Sequence, residues 1–244
     1  MSIELFIPSD EDQEKYAQMS LCVLTPVQGY QTHARFAQCL ADLVAYSWRN
    51  GLRIHKTALK MRMVVHWARN VLAEQAMAIG DPYTETPYTH FLWLDDDMVF
   101  NPDLACYLAR HGDLDAVTGV YYGRQQHFPV VYHKEAGEQE EMKHMQWISV
   151  PKKLFEVDAA GFGCMLTRRD VFEAMDKPYF GFDGGGEDIY WCVKAKDKGF
   201  KIWCDGSYGC GHIGDQEIIT ERHHERFLDD NKATLEKGLV RVEL

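Results

Sequence analysis

The sequence predicts an α/β fold whose first half carries a mostly parallel sheet. Two short apolar runs, residues 20–25 (SLCVLT) and 90–94 (HFLWL), read as buried strands. Between them, residues 33–49 and 63–79 repeat apolar side chains at helical spacing. Glycine and proline mark the breaks between these segments. Strand alternating with helix implies a parallel sheet covered by helices.

In chain order, residues 1–19 read as a polar lead-in. The first strand ends at Pro26, and Gln28-Gly29-Tyr30 is a turn. Thr32 can cap the helix 33–49, in which Phe36, Leu40, Leu43, Val44 and Ser47 share a face, with Gly51 as the stop. Residues 52–59 read as a second strand. The helix 63–79 puts Val64, Trp67, Ala68, Val71, Leu72 and Gln75 in register and ends at Gly80-Asp81-Pro82. Residues 83–88 read as a loop. After the strand 90–94, Asn101 is the N-cap of a helix with Pro102 in its first turn.

The second half mixes short strands with loops. Residues 115–122 and 128–133 read as strands, and 137–143 as an exposed acidic loop. Residues 157–167 read as strand, glycine turn, strand, followed by a short helix at 168–175. A flexible Gly184-Gly185-Gly186 loop leads into a helix at 187–198, closed by Gly199. A strand at 201–204 and a polar helix at 220–235 complete the chain. With neither repeat nor linker, the 244 residues read as one domain.

The 37 acidic and 26 basic residues leave a net charge of -11, which gives no general attraction to phosphate backbones or anionic lipid. A local basic patch from Arg124, Lys152, Lys153, Arg168 and Arg169 stays open. No apolar run is long enough to span a bilayer, and the start of the chain lacks a secretory signal, so a cytoplasmic protein without membrane insertion is expected. The seven scattered cysteines read as buried free thiols; a zinc site from Cys204, Cys210 and His212 lacks a CxxC pair to support it.

The chemistry concentrates at Asp95-Asp96-Asp97, directly after the HFLWL strand. In open α/β sheets ligands bind beyond the carboxyl ends of the strands. Three adjacent carboxylates repel one another, and a hard cation such as Mn²⁺ or Mg²⁺ offsets that repulsion. In an extended segment Asp95 and Asp97 share a face, while Asp96 points elsewhere.

The ordered motifs Leu24-Thr25-Pro26-Val27, Ala68-Arg69-Asn70, Leu94-Asp95-Asp96-Asp97, Asp158 to Leu166 (DAAGFGCML), Gly186-Glu187-Asp188 and Gly211-His212-Ile213-Gly214 resemble those of GT-A fold glycosyltransferases of the DxD type, close to the family-2 group and its bacterial and phage relatives. The resemblance covers residues 20–215. It implies a GT-A architecture: a Rossmann-like nucleotide-binding half with a mostly parallel sheet (20–125), a smaller mixed acceptor and catalytic half (126–215), and a C-terminal helix and tail (216–244).

The resemblance further implies transfer of a hexose or pentose from a nucleotide-sugar, a UDP-sugar first, to an acceptor hydroxyl with inversion. The acceptor would be a glycan or a modified, hydroxymethylated phage DNA base, with a lipid-linked sugar and a protein also open. Thr25, Pro26, Val27, Arg69, Asp95 and Asp96 would border the donor, with Arg69 on the diphosphate. Asp95, Asp97 and His212 would hold Mn²⁺ or Mg²⁺, with Asp96 able to replace either aspartate. Asp188 would be the general base, with Glu187 beside it on the acceptor. Gln28, Tyr30 and Arg35 are candidates for base or ribose contacts, and Trp147, Trp191 and Tyr190 for stacking on the acceptor. Trp67, Phe91 and Trp93 read as core. A nucleotidyltransferase and a non-catalytic nucleotide-sugar-binding module are the alternatives.

Overall fold

Residues 5–81, 85–125, 127–136, 142–182, 185–215 and 217–235 are described by the computed structural model. The polar lead-in contains a helix, α1 (Asp10–Tyr16), started by a capping box in which Ser9 Oγ accepts from the Asp12 N–H and Asp12 bonds back to Ser9. The run at 20–25 becomes β1 (Leu21–Val27), with all seven residues buried. It pairs in parallel with β2 (Ile54–Met61) on one side and β3 (His90–Leu94) on the other. The helices α2 (Ala34–Arg49) and α3 (Val65–Ala78) make the two crossovers. Thr32 does not cap α2: the N-cap is His33, without a side-chain bond.

Next come β4 (Met98–Val99), α4 (Leu104–Ala109) and β5 (Ala116–Val120). The N-cap of α4 is Asp103 rather than Asn101. Its carboxylate is directed elsewhere, accepting from the Phe6 N–H at 2.6 Å and the Tyr208 hydroxyl at 2.6 Å. A hairpin of β6 (Val131–Ala136) and β7 (Met142–Gln146) follows. Of the loop expected at 137–143, Met142 and Lys143 thus belong to a strand, and 137–141 lie outside the described residues. Tyr83, Thr84 and Gly184, also expected in loops, lie outside them too.

The chain continues through β8 (Leu154–Val157), β9 (Ala159–Ala160), β10 (Cys164–Arg168), α5 (Arg169–Ala174) and α6 (Glu187–Asp197). It ends in β11 (Ile202–Gly209), β12 (Gly211–Ile213), β13 (Ile218–Ile219) and α7 (Glu221–Leu235). The four-residue strand expected at 201–204 is therefore half as long as the strand that forms.

One seven-stranded sheet runs β2-β1-β3-β10-β5-β11-β8. Its strands β2, β1, β3, β5 and β11 point one way, while β10 and β8 run against them. The fold class is the mixed α/β arrangement with a mostly parallel sheet that the sequence predicts. Side chains of β3 alternate between two cores: Phe91 and Trp93 join one, Leu92 and Leu94 the other. Burial on both faces explains why HFLWL is apolar throughout. Trp93 packs on Phe162, Phe172 and Phe180, and its indole N–H donates to Thr167 Oγ1 at 3.1 Å. All seven cysteines are free and buried. Among the described residues no helix is long and apolar enough to cross a membrane.

The turn between β9 and β10 lies against Tyr121, whose hydroxyl accepts from the Gly163 N–H at 3.2 Å. A Cβ at Gly161 would overlap that hydroxyl and fall 2.7 Å from Val130 Cγ1. Gly161→Ala should lower unfolding stability by about 1–3 kcal/mol, the usual cost of overpacking; denaturant titration would measure it.

Candidate functional site

The carboxyl ends of β1 and β3 open on a cavity of about 800 Å³. Pro26 and Val27 line it from the end of β1, and Gln28, Gly29 and Tyr30 from the turn that follows. Asp95, Asp96 and Asp97 line it after β3, Arg69 from α3, and Glu187 and Asp188 from the start of α6. Thr25, expected with this group, is buried at 1% exposure and is not part of the lining. Arg35 is exposed on α2 and likewise does not line it.

The aspartate triplet is a turn and not an extended segment. The Met98 N–H donates to Asp95 O at 3.1 Å, so the alternate-face argument does not apply. The turn sends Asp95 and Asp97 to different partners. Asp95 accepts from Arg69 Nη2 with both oxygens, at 2.9 and 3.0 Å. Asp97 Oδ2 lies 3.3 Å from His212 Nε2 and 3.3 Å from Arg124 Nη2.

Strand pairing explains how residues 115 positions apart meet. β12 lies antiparallel to β4 with His212 opposite Met98, and the Ile213 N–H donates to Asp97 O at 2.8 Å. The His212 Nδ1–H donates to Tyr122 O at 3.0 Å. A neutral ring held that way turns the Nε2 lone pair toward the Asp97 carboxylate, so two acceptors face each other. Such a pair invites a proton or a cation between its members.

Arg69 is 1% exposed, although its guanidinium carries a permanent charge. Besides Asp95 it donates Nη1 to Asp188 Oδ1 at 2.8 Å, and Glu187 Oε1 lies 3.8 Å from Nη2. The guanidinium therefore already faces three carboxylates, rather than only the diphosphate that the resemblance implies. Arg62 and Arg124, which also line the cavity, are its more exposed cations; Arg62 lies over the Tyr30 ring, 4.5 Å from its centre. Arg62 carried no signal in the sequence, because a lone arginine in a loop looks like a solvated one. The next residue of α3, Asn70, accepts from the Tyr179 and Phe180 N–H groups at 2.8 and 3.1 Å and fastens that segment beneath α6.

Burial raises the Asp188 carboxyl, and Glu187 and Asp95 add to the effect against the opposing pull of Arg69; the result is a value of about 7. Burial also raises Asp95 and Asp96. With a proton between Asp97 and His212, the His212 hydrogen bond and charge, together with Arg124, outweigh burial and hold Asp97 below the ordinary value. Gly186 precedes α6 at φ +91°, a conformation L side chains resist, so glycine sets the direction from which Glu187 and Asp188 enter the cavity.

Among the described residues no three His, Cys, Asp or Glu side chains cluster to hold an ion. Asp97 and His212 form a two-point mount. Their 3.3 Å separation is close to the roughly 3 Å between adjacent ligands on an octahedral ion with bonds of about 2.1 Å. Mg²⁺ is commonly held by one or two protein groups plus substrate phosphates and water, and imidazole suits Mn²⁺ less strictly than oxygen. The donor set fits such an ion.

The aromatic expectations divide. Phe91 and Trp93 are core, but Trp67 is 60% exposed on the first turns of α3. Trp191, expected to face the acceptor, is fully buried among Phe162, Phe172 and Phe180. Its neighbours Ile189, Cys192 and Ala195 on α6 are buried with it.

No protein-family model and no curated protein matches this chain. Among solved structures it is similar to A197 from STIV, at 20% identity and TM-score 0.57 over 83% of this chain and 94% of that one. The fold is GT-A-like. Weaker likenesses are to GalNAc-T7 with UDP, GalNAc and Mn²⁺ (11% identity, TM-score 0.45, 86% of this chain and 47% of that one) and to a glycosyltransferase involved in glycosylation of the major capsid of PBCV-1 (15% identity, TM-score 0.41, 84% and 98%). Only the first is near enough to fix the architecture, and at its identity it fixes the architecture alone.

Removing Arg69 would leave Asp95 and Asp188 facing each other half-buried. Arg69→Met should cost near the lower end of about 3–5 kcal/mol, since both carboxylates keep some solvent. Raising the pH from 6 to 8 should widen the deficit as Asp188 ionises; thermal melts at both pH values would measure it.

Proposed function

We propose that this protein is a metal-dependent glycosyltransferase that moves a sugar from a nucleotide-sugar, a UDP-sugar first, to an acceptor hydroxyl with inversion. The observation that carries this reading is that Asp97, backed by His212 at 3.3 Å, and Asp188 line the same cavity. That combines a cation mount and a base of raised pKa in one hollow at the carboxyl end of a parallel sheet.

The nucleotide would lie against Pro26, Val27 and the Gln28-Gly29-Tyr30 turn, with Asp95 and Asp96 toward the ribose or bound water. A divalent cation on Asp97 and His212 would supply neutralisation of the charge that gathers on the departing diphosphate. Arg124 would donate hydrogen bonds to the same phosphate oxygens. Asp188 would take the proton from the acceptor oxygen as that oxygen bonds to the anomeric carbon and the bond to diphosphate breaks. Arg69 would keep Asp188 and Asp95 at fixed spacing throughout.

A nucleotidyltransferase shares much of this layout but grips a triphosphate with a glycine- and lysine-rich loop. Here the loop after β1 is Gln28-Gly29-Tyr30, and no lysine lines the cavity among the described residues.

Incubation with a panel of nucleotide-sugars and Mn²⁺ should give slow donor hydrolysis that EDTA abolishes; no turnover and no binding of any donor would refute the assignment. Asp188 works as a base only when deprotonated, so kcat/KM should climb as pH rises through about 7. Asp188→Asn should cut turnover by about 10²–10⁴-fold and flatten that limb while leaving donor affinity in place.

A further inference from the structure

The 800 Å³ cavity is not isolated. Arg124 also lines a second hollow of about 500 Å³, together with Gly123, Gln125, Phe128, Gln146 and Asp215. Phe128 and Gln146 in turn line a third, of about 300 Å³, whose walls include His133, Met145 and Trp147. The first and second hollows thus share Arg124, and the second and third share Phe128 and Gln146, beside the open end of the β6–β7 hairpin.

The chemistry of the lining changes from one hollow to the next. In the middle hollow, Gln125 and Gln146 can each donate and accept, as hydroxyl groups require. Arg124, on the wall shared with the first hollow, faces Asp97. In the far hollow the lining turns flat and apolar, through Phe128 and the Trp147 indole. Trp147 is braced edge-on by His133 and Phe155 at 5.3 and 5.4 Å. Its backbone is held by a bond from the Trp147 N–H to Val131 O at 2.9 Å. The Trp147 Nε1 and His133 Nδ1 atoms are buried without a hydrogen-bond partner among the described residues. A rigid aromatic face suits a sugar ring, which offers C–H on its faces, while Gln146 at the junction of the two hollows can meet hydroxyls on its rim.

A phosphodiester backbone fits these hollows poorly, because it needs a row of unpaired cations. Apart from Arg124 and the His133 ring, the described lining of the two outer hollows has none. The basic residues singled out from the sequence are mostly neutralised in place. Lys152 pairs with Glu221, Arg168 with Asp170 and Asp115, and Arg169 with Glu173.

We propose that the outer hollows are acceptor subsites. The Trp147 hollow then seats a sugar ring one or more units from the hydroxyl that is modified, so the acceptor is an oligosaccharide or carries one. This rests on the transferase reading for its direction, but the subsite itself can be tested without turnover.

The full chain would be applied to an immobilised panel of mono- to pentasaccharides and to hydroxymethylated duplex DNA, with UDP and Mn²⁺ affinity measured separately by titration. Oligosaccharides should be retained over monosaccharides, and Trp147→Ala and Gln146→Ala should each weaken retention by about tenfold with UDP affinity unchanged. Trp147→Phe, which keeps the ring packing, should fall between. Equal retention of mono- and oligosaccharides, indifference to Gln146→Ala and Trp147→Phe, retention of DNA alone, or no retained glycan would each overturn the proposal. Glycan retention lost with Trp147→Ala in a chain that binds no nucleotide would keep the subsite and sink the donor assignment.

Discussion

A single buried guanidinium holds this molecule's functional end together. Arg69 reaches from α3 to the residue after β3 and to the first turn of α6, and its partners come from positions 95, 187 and 188. An unpaired arginine would be costly in that position, and so would the three carboxylates. Assembled, each offsets the desolvation of the others. The arginine keeps its charge because Asp188, Asp95 and Glu187 outweigh the burial that would lower it. The same cluster leaves Asp188 as its least favoured anion, which is where a proton acceptor of near-neutral pKa is useful.

Beside this cluster sits a second arrangement governed by different forces. Asp97 is turned away from Arg69 by the tight turn at 95–98, and a short antiparallel pairing supplies His212 and the backbone bond that fixes it. Each aspartate of the triplet thus has its own electrostatic surroundings despite adjacency in sequence. Asp95 and Asp96 are raised by burial, while Asp97 is lowered by its cationic neighbours.

Much of this was legible in the chain. HFLWL reads as a strand and is one, and the acidic pair after the glycines reads as a helix start and is one. Pattern alone did not reveal where Arg69 points, since a buried and a solvated arginine on a helix look alike until their carboxylates are located. Nor did it separate Trp67 from Trp191: both follow helical spacing, and only the docking of α3 and α6 decides which ring is covered. The β6–β7 hairpin is half hidden because Lys143 falls in the expected acidic loop and Lys134, Glu135 and His144 give no strand signal. The capping box at Ser9 and Asp12 is masked in the sequence because the acidic run DED suits a solvated lead-in equally well.

The place of β10 in the sheet has a consequence for how the chain acquires its shape. This strand arrives some 70 residues after β3, yet it lies between β3 and β5 and bonds to both. Until a ribosome has released it, the growing polypeptide holds two facing edges with nothing between them, and Asp95 lacks the Gly163 carbonyl that its N–H donates to. Nucleotide-side strands and late strands must therefore mature as one cooperative unit. A fragment stopping near residue 125 would be a sticky intermediate with two open edges rather than a small stable module.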